Sequence, residues 1–157
     1  MSAFRIALIG NPNCGKTTLF NALTGSHQKV GNWPGVTVEK KTGTFTDENR
    51  DCEIVDLPGI YSLEQDYLGL DEKIARDYLI AGDFDVILNI IDAGNIQRNL
   101  ILTQQLLELG LPVVVAVNML DVAEREGITV DTELLADHLS VPVAPIIASK
   151  QQGLDNL

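Results

Sequence analysis

Short apolar runs alternate along the chain with stretches in which apolar residues recur at helical spacing. Apolar runs without polar alternation predict strands that are covered on both faces of a sheet. We predict strands over residues 4–9, 38–46, 52–57, 86–91, 113–117 and 143–147. Helical spacing predicts helices over residues 16–23, 70–81, 96–110 and 132–139. Strands that alternate with helices are typical of an α/β domain with a parallel sheet.

The segment between the first helix and the second strand, residues 26–37, is polar and rich in Gly, Asn and Pro, which predicts a mobile loop. Only the tight polar turn DENR, residues 47–50, separates the second and third strands, so these two should form an antiparallel hairpin. We therefore expect a three-layer sandwich with a mostly parallel six-stranded sheet and one antiparallel edge strand. The 157 residues suit one domain, residues 1–157, and they end where a closing helix is expected, so we expect a fragment of a longer protein.

Composition narrows the range of partners. The chain has 22 acidic and 11 basic residues, which gives a net charge of −11. Such a surface repels phosphate backbones, so we expect no nucleic-acid partner, although a few local groups can still hold a small nucleotide. The two cysteines show no disulfide framework, and no apolar run approaches the ~20 residues of a membrane span. Because the first strand begins near the N-terminus and leaves no room for a signal peptide, we expect a soluble cytoplasmic piece.

A phosphate-binding loop is the most specific motif. Between the first predicted strand and the first helix, GNPNCGKT matches G-x-x-x-x-G-K-[ST] in full. The motif comprises Gly10, Asn11, Pro12, Asn13, Cys14, Gly15, Lys16 and Thr17, and Thr18 follows it. Glycines let backbone N–H groups surround an anion at a helix N-terminus, Lys16 reaches the terminal phosphates, and the Thr17 hydroxyl can ligate Mg²⁺. The alternative is a glycine-rich turn beside a surface lysine.

A second motif indicates the base. Asn118, Met119, Leu120 and Asp121 follow an apolar strand, at the sheet edge where ligands of open α/β sheets bind. A carboxylate there can accept hydrogen bonds from N1–H and the exocyclic amine of guanine, whereas adenine lacks this pair of donors. The segment resembles the N-K-x-D motif of Ras-like GTPases, with Met119 in place of the lysine. Methionine can cover the base, but the lost charge predicts weaker guanine binding. The alternative is a solvated Asn/Asp turn.

Three further segments resemble motifs of the same superfamily. Asp56 opens a D-x-x-G sequence in which it would hold Mg²⁺ through a water, while the Gly59 N–H would meet the γ-phosphate. Thr37 resembles the switch threonine whose hydroxyl completes the Mg²⁺ shell. Ala148 occupies the middle of the usual S-A-[KL] segment, where its N–H would donate to the guanine carbonyl, although Ile147 replaces the leading serine. These resemblances assign to the nucleotide Gly35, Val36, Thr37, Asp56, Leu57, Pro58, Gly59, Ala148, Ser149 and Lys150.

Residues 30–39 (VGNWPGVTVE), together with GNPN and NMLD, resemble the sequence of the FeoB family of bacterial ferrous iron transport proteins. The resemblance implies a Mg²⁺-dependent domain that binds GTP, hydrolyses it slowly and regulates ferrous iron uptake from the cytoplasmic face of the inner membrane. It also implies a helical regulatory region and a membrane part elsewhere in the full-length protein, and it leaves a homo-oligomer open. No His, Cys, Asp and Glu spacing suggests that this domain itself holds iron.

The resemblance also bears on catalysis. Ile60 stands where Ras-like proteins have a water-orienting glutamine, and the switch loop has no arginine, so slow hydrolysis is expected. Asn13 matches the asparagine that helps to hold K⁺ beside the phosphates in potassium-activated members. Carbonyls near Gly31 and Trp33 would complete the shell of that ion. The alternative for Asn13 is a backbone-capping residue, and Trp33 is either a nucleotide-side lid or an aromatic that pins the loop.

Other function classes stay open at this point. A nucleotide sensor would use the same motifs, with binding rather than turnover as its output. A ribosome- or RNA-associated GTPase has a similar motif order, but the net charge of −11 disfavours it. An ATPase is disfavoured by Asn118 and Asp121, which suit guanine.

Overall fold

The structure is a computed structural model that describes residues 3–47, 50–63 and 69–150. Its strands are β1 Phe4–Gly10, β2 Gln28–Asn32, β3 Glu39–Asp47, β4 Arg50–Asp56, β5 Val86–Asp92, β6 Val113–Asn118 and β7 Val143–Pro145. Its α-helices are α1 Lys16–Thr24, α2 Leu70–Ala81, α3 Ile96–Glu108, α4 Leu120–Arg125 and α5 Thr132–Leu139. Short 3-10 turns cover Ala93–Asn95 and Ala148–Lys150. The turn predicted over residues 47–50 lies partly outside the described residues.

The strands form one mixed seven-stranded sheet in the order β2-β3-β4-β1-β5-β6-β7. β1 pairs in parallel with β4 and β5, and β6 pairs in parallel with β5 and β7. β3 is antiparallel to both of its neighbours, β2 and β4. The prediction of an α/β fold is confirmed. The prediction of six strands with the antiparallel strand at the edge is wrong, because β2 adds a strand outside β3.

β2 lies inside the segment that was expected to be a mobile loop. Gln28 pairs opposite Gly43 and Asn32 opposite Glu39, so the backbone of this segment continues the hairpin of β3 and β4. None of its five side chains is buried. An edge strand that is exposed on both faces needs no apolar alternation, which is the pattern that predicts strands. The hydrophobic pattern of the sequence therefore could not predict β2.

Two apolar clusters cover the two faces of the sheet, as the alternation of side chains along a strand requires. In β1, Ala7 and Ile9 belong to one cluster and Leu8 to the other. α1 packs on the second cluster through Leu19 and Phe20. α2 and α3 pack on the first cluster through Ala75, Leu79, Leu102 and Leu106. The expected three-layer arrangement of helices on both faces of the sheet is present.

Local sequence signals define α2, whose predicted bounds match the structure. Asp71 and Glu72 lie in its first turn, where carboxylates interact favourably with the helix dipole. Ala75 and Leu79, one turn apart, are buried against the sheet. Gly82 ends the helix in the left-handed region at φ 72° and donates its N–H to the Tyr78 carbonyl.

The carboxyl ends of the central strands bring the predicted motifs to one edge of the sheet. β1, β4, β5 and β6 are parallel and end at Gly10, Asp56, Asp92 and Asn118. Ligands of open α/β sheets bind outside this edge.

Within residues 3–47, 50–63 and 69–150, no helix has the length and apolar character that crossing a membrane requires.

Candidate functional site

The phosphate loop connects β1 to α1 in a conformation that depends on its glycines. Gly15 has φ 94° and directly precedes α1, and a Cβ there would lie 2.2 Å from Nδ2 of Asn118. A Cβ on Gly10 would lie 2.6 Å from the carbonyl oxygen of Ile90 and 2.7 Å from Sγ of Cys14. Both positions therefore exclude a side chain. Cys14 is buried beneath the loop, and this burial raises the pKa of its thiol to about 11.

A cleft of about 590 Å³ lies along this loop. It is lined by Asn11, Pro12, Asn13, Gly15, Lys16, Thr17, Thr18, Gly59, Asp71 and Met119. Gly59 approaches the loop so closely that a Cβ on it would lie 3.2 Å from Cα of Pro12. The next residue, Ile60, donates its backbone N–H to the Gly10 carbonyl at 3.1 Å. The D-x-x-G segment, which includes Leu57 and Pro58, thus ends directly against the phosphate loop.

Lys16 and Asp56 form an ion pair in this region. Nζ of Lys16 lies 2.5 Å from Oδ1 of Asp56, and the two side chains are only 12% and 10% exposed. Burial raises the pKa of the Asp56 carboxyl, and the Lys16 ammonium opposes that rise. The cation predicted to bind phosphates and the carboxylate predicted to hold Mg²⁺ are therefore neighbours.

The donor set around this pair suits Mg²⁺, which prefers oxygen ligands and one or two carboxylates beside substrate phosphates. Thr17 lines the cleft, and the Asp56 carboxylate is paired with Lys16, which lines the cleft as well. In the part of the chain that the structure describes, no group of three or more His, Cys, Asp and Glu side chains could hold a metal by itself. A site here would therefore combine Thr17 and Asp56 with oxygens of a bound phosphate.

Thr37 lies outside this arrangement. The segment after β2 forms a turn in which the Val36 N–H donates to the Trp33 carbonyl at 3.2 Å, with Gly35 at φ 76°. The Trp33 N–H donates to the Val38 carbonyl at 3.0 Å, which closes the hairpin of β2 and β3. Thr37 is exposed at this hairpin tip, and neither it nor Gly35 and Val36 lines the cleft. Its role as a Mg²⁺ ligand stays a prediction.

Asn118 connects the phosphate loop to the last 3-10 turn. Its Nδ2 donates to the Cys14 carbonyl at 3.1 Å, and its Oδ1 accepts from the Ala148 N–H at 3.0 Å. The side chain is 3% exposed. Both amide atoms are thus used within the protein, so Asn118 positions the two loops on either side of it.

Asp121 follows in the first turn of α4, after Met119 at φ 63° and Leu120. Its Oδ2 lies 3.3 Å from Arg125 and 3.5 Å from Lys150, so it joins the loop after β6 to the turn after β7. Burial raises the pKa of the Asp121 carboxyl, but the Val122 N–H and the Lys150 ammonium lower it by more, and the net shift is downward. The carboxylate is thus ionised at neutral pH and can accept hydrogen bonds. The Ser149 side chain lies outside the described residues.

Of the groups proposed to hold K⁺, only Asn13 lines the cleft. Its backbone has φ 65°. Gly31 is paired opposite Lys40 inside the hairpin, and the Trp33 carbonyl accepts from Val36. Neither Gly31 nor Trp33 lines the cleft with Asn13, so we expect the hairpin tip to move if these groups are to surround one ion. The Ile60 side chain is fully buried and does not face the cleft.

One residue that lines the cleft was not predicted from the sequence, and one predicted residue has an unexpected environment. Asp71, in the first turn of α2, lines the cleft opposite the phosphate loop. Asn11 is 3% exposed, and neither atom of its amide has a hydrogen-bond partner among the described residues. No motif signals Asp71, because its place in the cleft depends on how α2 packs against the sheet.

Comparisons with known proteins show which family this chain resembles. A family model described as ferrous iron transport protein B matches residues 4–157. The Fe(2+) transporter FeoB of Escherichia coli (strain K12) is 51% identical over 159 aligned residues, which cover 100% of this chain and 21% of that protein. The FeoB of Salmonella typhimurium (strain LT2) is 50% identical over the same shares. The chain thus spans about a fifth of the length of these relatives.

Solved structures show the same fold. The cytosolic domain of L. pneumophila FeoB superposes with a TM-score of 0.93 at 55% identity, covering 97% of this chain and 66% of that one. A mutant of S. thermophilus NFeoB bound to GDP gives 0.93 at 53% identity, covering 99% and 58%. The G domain of T. maritima FeoB gives 0.92 at 44% identity, covering 99% and 94%.

Proposed function

The chain belongs to the family of ferrous iron transport protein B, and we propose that it is the domain that binds and hydrolyses GTP. One observation carries the proposal: the phosphate loop, the Lys16–Asp56 pair and the loop at Asn118 converge on one edge of the sheet. The GDP bound by the similar S. thermophilus protein supports a guanine nucleotide as the ligand.

We infer that guanine binds between the loops that follow β6 and β7. The ionised Asp121 carboxylate can accept from N1–H and the amine of guanine, and Lys150 keeps this carboxylate beside the last turn. The Ala148 N–H already has Asn118 as its acceptor, so Asn118 fixes the loop that faces the guanine carbonyl. Met119 lies at the end of the cleft nearest to this site and would cover the base with its apolar side chain.

Hydrolysis would rest on few groups. Lys16 would leave Asp56 and bind the terminal phosphates, while Thr17 and, through water, Asp56 would hold Mg²⁺, with Thr37 joining them if the hairpin tip moves. A bound Mg²⁺ would supply positive charge at the phosphate oxygens. The Gly59 N–H, from a residue next to the phosphate loop, would donate to the γ-phosphate. Because Ile60 is buried and cannot orient water, we propose that turnover is slow.

In the full-length protein, we propose that this domain regulates ferrous iron uptake from the cytoplasmic face of the bacterial inner membrane. Its partners there would be a helical regulatory region and a membrane part of the same chain. One observation favours the alternative of a nucleotide sensor, namely the buried Ile60 in place of a water-orienting side chain. The two proposals differ in whether turnover or binding alone drives the output.

Isothermal calorimetry with GDP and ADP, each in Mg²⁺, tests the binding step. We expect GDP to bind at least ~100-fold more tightly than ADP, because a site that accepts from guanine donors leaves buried polar groups unpaired with adenine. A protein that binds neither nucleotide, or both equally, would contradict the proposal.

A further inference from the structure

Trp33 is the one tryptophan of the chain and the one buried residue between Ser26 and Val38. It is 6% exposed and belongs to the apolar cluster that includes Ile60 and Leu63. The remaining residues of this stretch are exposed or half-buried. Beyond its backbone pairing with β3, the hairpin tip is attached to the domain through the buried indole of Trp33 and the half-buried side chains of Val36 and Val38, which pack against the same cluster.

The indole contacts α2 through Tyr78. The two rings meet edge to face at 75°, with their centroids 5.7 Å apart, which is a favourable aromatic geometry. The Lys40 ammonium lies 4.8 Å from the centre of the indole ring and so contacts it as well. Trp33 is thus held between a strand of its own hairpin and the helix that follows the D-x-x-G segment.

Tyr78 is itself fixed from behind. Its ring stacks on Phe84 at a centroid distance of 6.1 Å, and its hydroxyl donates to the Asp83 carbonyl at 3.0 Å. These contacts leave the Tyr78 ring little freedom to follow Trp33 if the hairpin tip moves. Departure of the tip would therefore break the aromatic contact.

The docked arrangement of Trp33 also carries a penalty. Its indole N–H is buried and has no acceptor among the described residues. An unpaired buried donor destabilises the arrangement that buries it. The ring contacts stabilise the docked position of the tip and this penalty opposes it, so loss of the Tyr78 ring should shift the balance towards release.

We propose that Tyr78 is a positioning residue for the switch hairpin, holding Thr37 at a distance from the cleft through its contact with Trp33. The proposal rests on the proposed function, since Thr37 matters only if the cleft binds Mg²⁺ with GTP. Loss of the Tyr78 ring frees the tip, and the arrangement in which Thr37 reaches the γ-phosphate side becomes more populated. A ligand with a γ-phosphate benefits from that shift, whereas GDP does not.

The test compares Tyr78→Leu, Tyr78→Phe and Ile80→Ala with the parent. Tyr78→Phe keeps the ring that contacts Trp33, and Ile80 is an exposed control on the same helix, 66% accessible. Acrylamide quenching of the single tryptophan reports its burial, and calorimetry gives affinities for GDP and for a non-hydrolysable GTP analogue. Tyr78→Leu should increase quenching and raise the ratio of analogue affinity to GDP affinity by about 2- to 10-fold, the share of one aromatic pair.

The Phe and Ile80→Ala variants should match the parent in both measurements, and a merely structural role of Tyr78 would leave the affinity ratio unchanged. Unchanged quenching in Tyr78→Leu, or an unchanged ratio in a protein that binds both nucleotides, would overturn the role of Tyr78 while leaving the proposed function intact. If the parent binds neither nucleotide, the proposed function fails and the role of Tyr78 in it fails too.

Discussion

Nζ of Lys16 lies 2.5 Å from Oδ1 of Asp56, so the two charges that the proposed chemistry needs neutralise each other inside the site. Each side chain is close to nine-tenths buried, and each would be costly to bury alone. Their pairing offsets this cost and keeps both charged groups next to the phosphate loop. A phosphate and its Mg²⁺ would replace the partner that each group now has.

Asn118 should contribute to stability as well as to binding. Asn118→Ala leaves the Cys14 carbonyl and the Ala148 N–H without their partner, and each orphaned buried group costs about 1–3 kcal/mol. Urea unfolding should therefore show a loss of about 2–4 kcal/mol relative to the parent. Asn21→Ala, at an exposed position of α1, is the matched control; it removes one exposed hydrogen bond from Gln28 and should lower the stability much less. Equal stability of the two variants would remove the bridging role of Asn118.

Asp121→Asn should reverse the base preference. The amide cannot accept from both guanine donors but can donate to the carbonyl of xanthine, so guanine affinity should fall by about 2–4 kcal/mol and xanthine affinity should rise. The ion pairs of Asp121 with Arg125 and Lys150 involve exposed partners, and such pairs contribute little to folding. Competition of GDP and xanthosine diphosphate in calorimetry decides the matter. Parent-like binding of both by the variant would place the base elsewhere.

Tyr78 should make the protein sensitive to alkali. Burial raises the pKa of its phenol from 10.0 to about 12, so between these values the unfolded chain loses a proton that the folded chain keeps. Unfolding is then increasingly favoured, and the stability present below pH 10 is lost as the pH rises. Denaturant melts from pH 9 to ~12 should show a smaller loss for Tyr78→Phe than for the parent. Parallel curves would show that the phenol does not titrate differently in the two states.

Asn13 should matter through potassium. A K⁺ held by its amide oxygen and the switch carbonyls would supply the charge that no arginine or glutamine provides here. GTP turnover at matched ionic strength should rise in K⁺ over Na⁺ by at least ~10-fold, about 1.4 kcal/mol of barrier. Asn13→Ala should lose that rise and keep its GDP affinity. Equal rates of the parent in both salts would assign catalysis to Mg²⁺ and Lys16 or to a partner protein.

The sequence predicts the central sheet and the phosphate loop because both depend on local signals. Buried strands such as 86–91 are rich in apolar residues. Gly10 and Gly15 belong to a motif of fixed spacing, and at both positions neighbouring atoms leave no room for a Cβ. The family resemblance is confirmed by the match over residues 4–157. α4, by contrast, was not predicted, because its six residues are too few for a periodic pattern.

The parts of the site that the sequence could not predict depend on contacts between distant segments. The choice between a lid and a pin for Trp33 requires its neighbour Tyr78, which lies on another element. The double hydrogen bond of Asn118 joins residues 104 and 30 positions away. The resemblance predicts Thr37 as a Mg²⁺ ligand, but the hairpin of β2 and β3 leaves it exposed and outside the lining of the cleft.

We propose that this phosphate loop hydrolyses GTP, and the decisive measurement is phosphate release from GTP and from ATP by the parent and by Lys16→Ala. With Mg²⁺ and K⁺ present, the parent should release phosphate from GTP slowly and hardly at all from ATP. Lys16→Ala should lose at least ~100-fold in rate with an unchanged circular dichroism spectrum, because we propose that the lysine side chain stabilises charge at the phosphates. Equal release by parent and variant, or equal rates with GTP and ATP, would show that this loop is not the site of a GTP-specific hydrolysis.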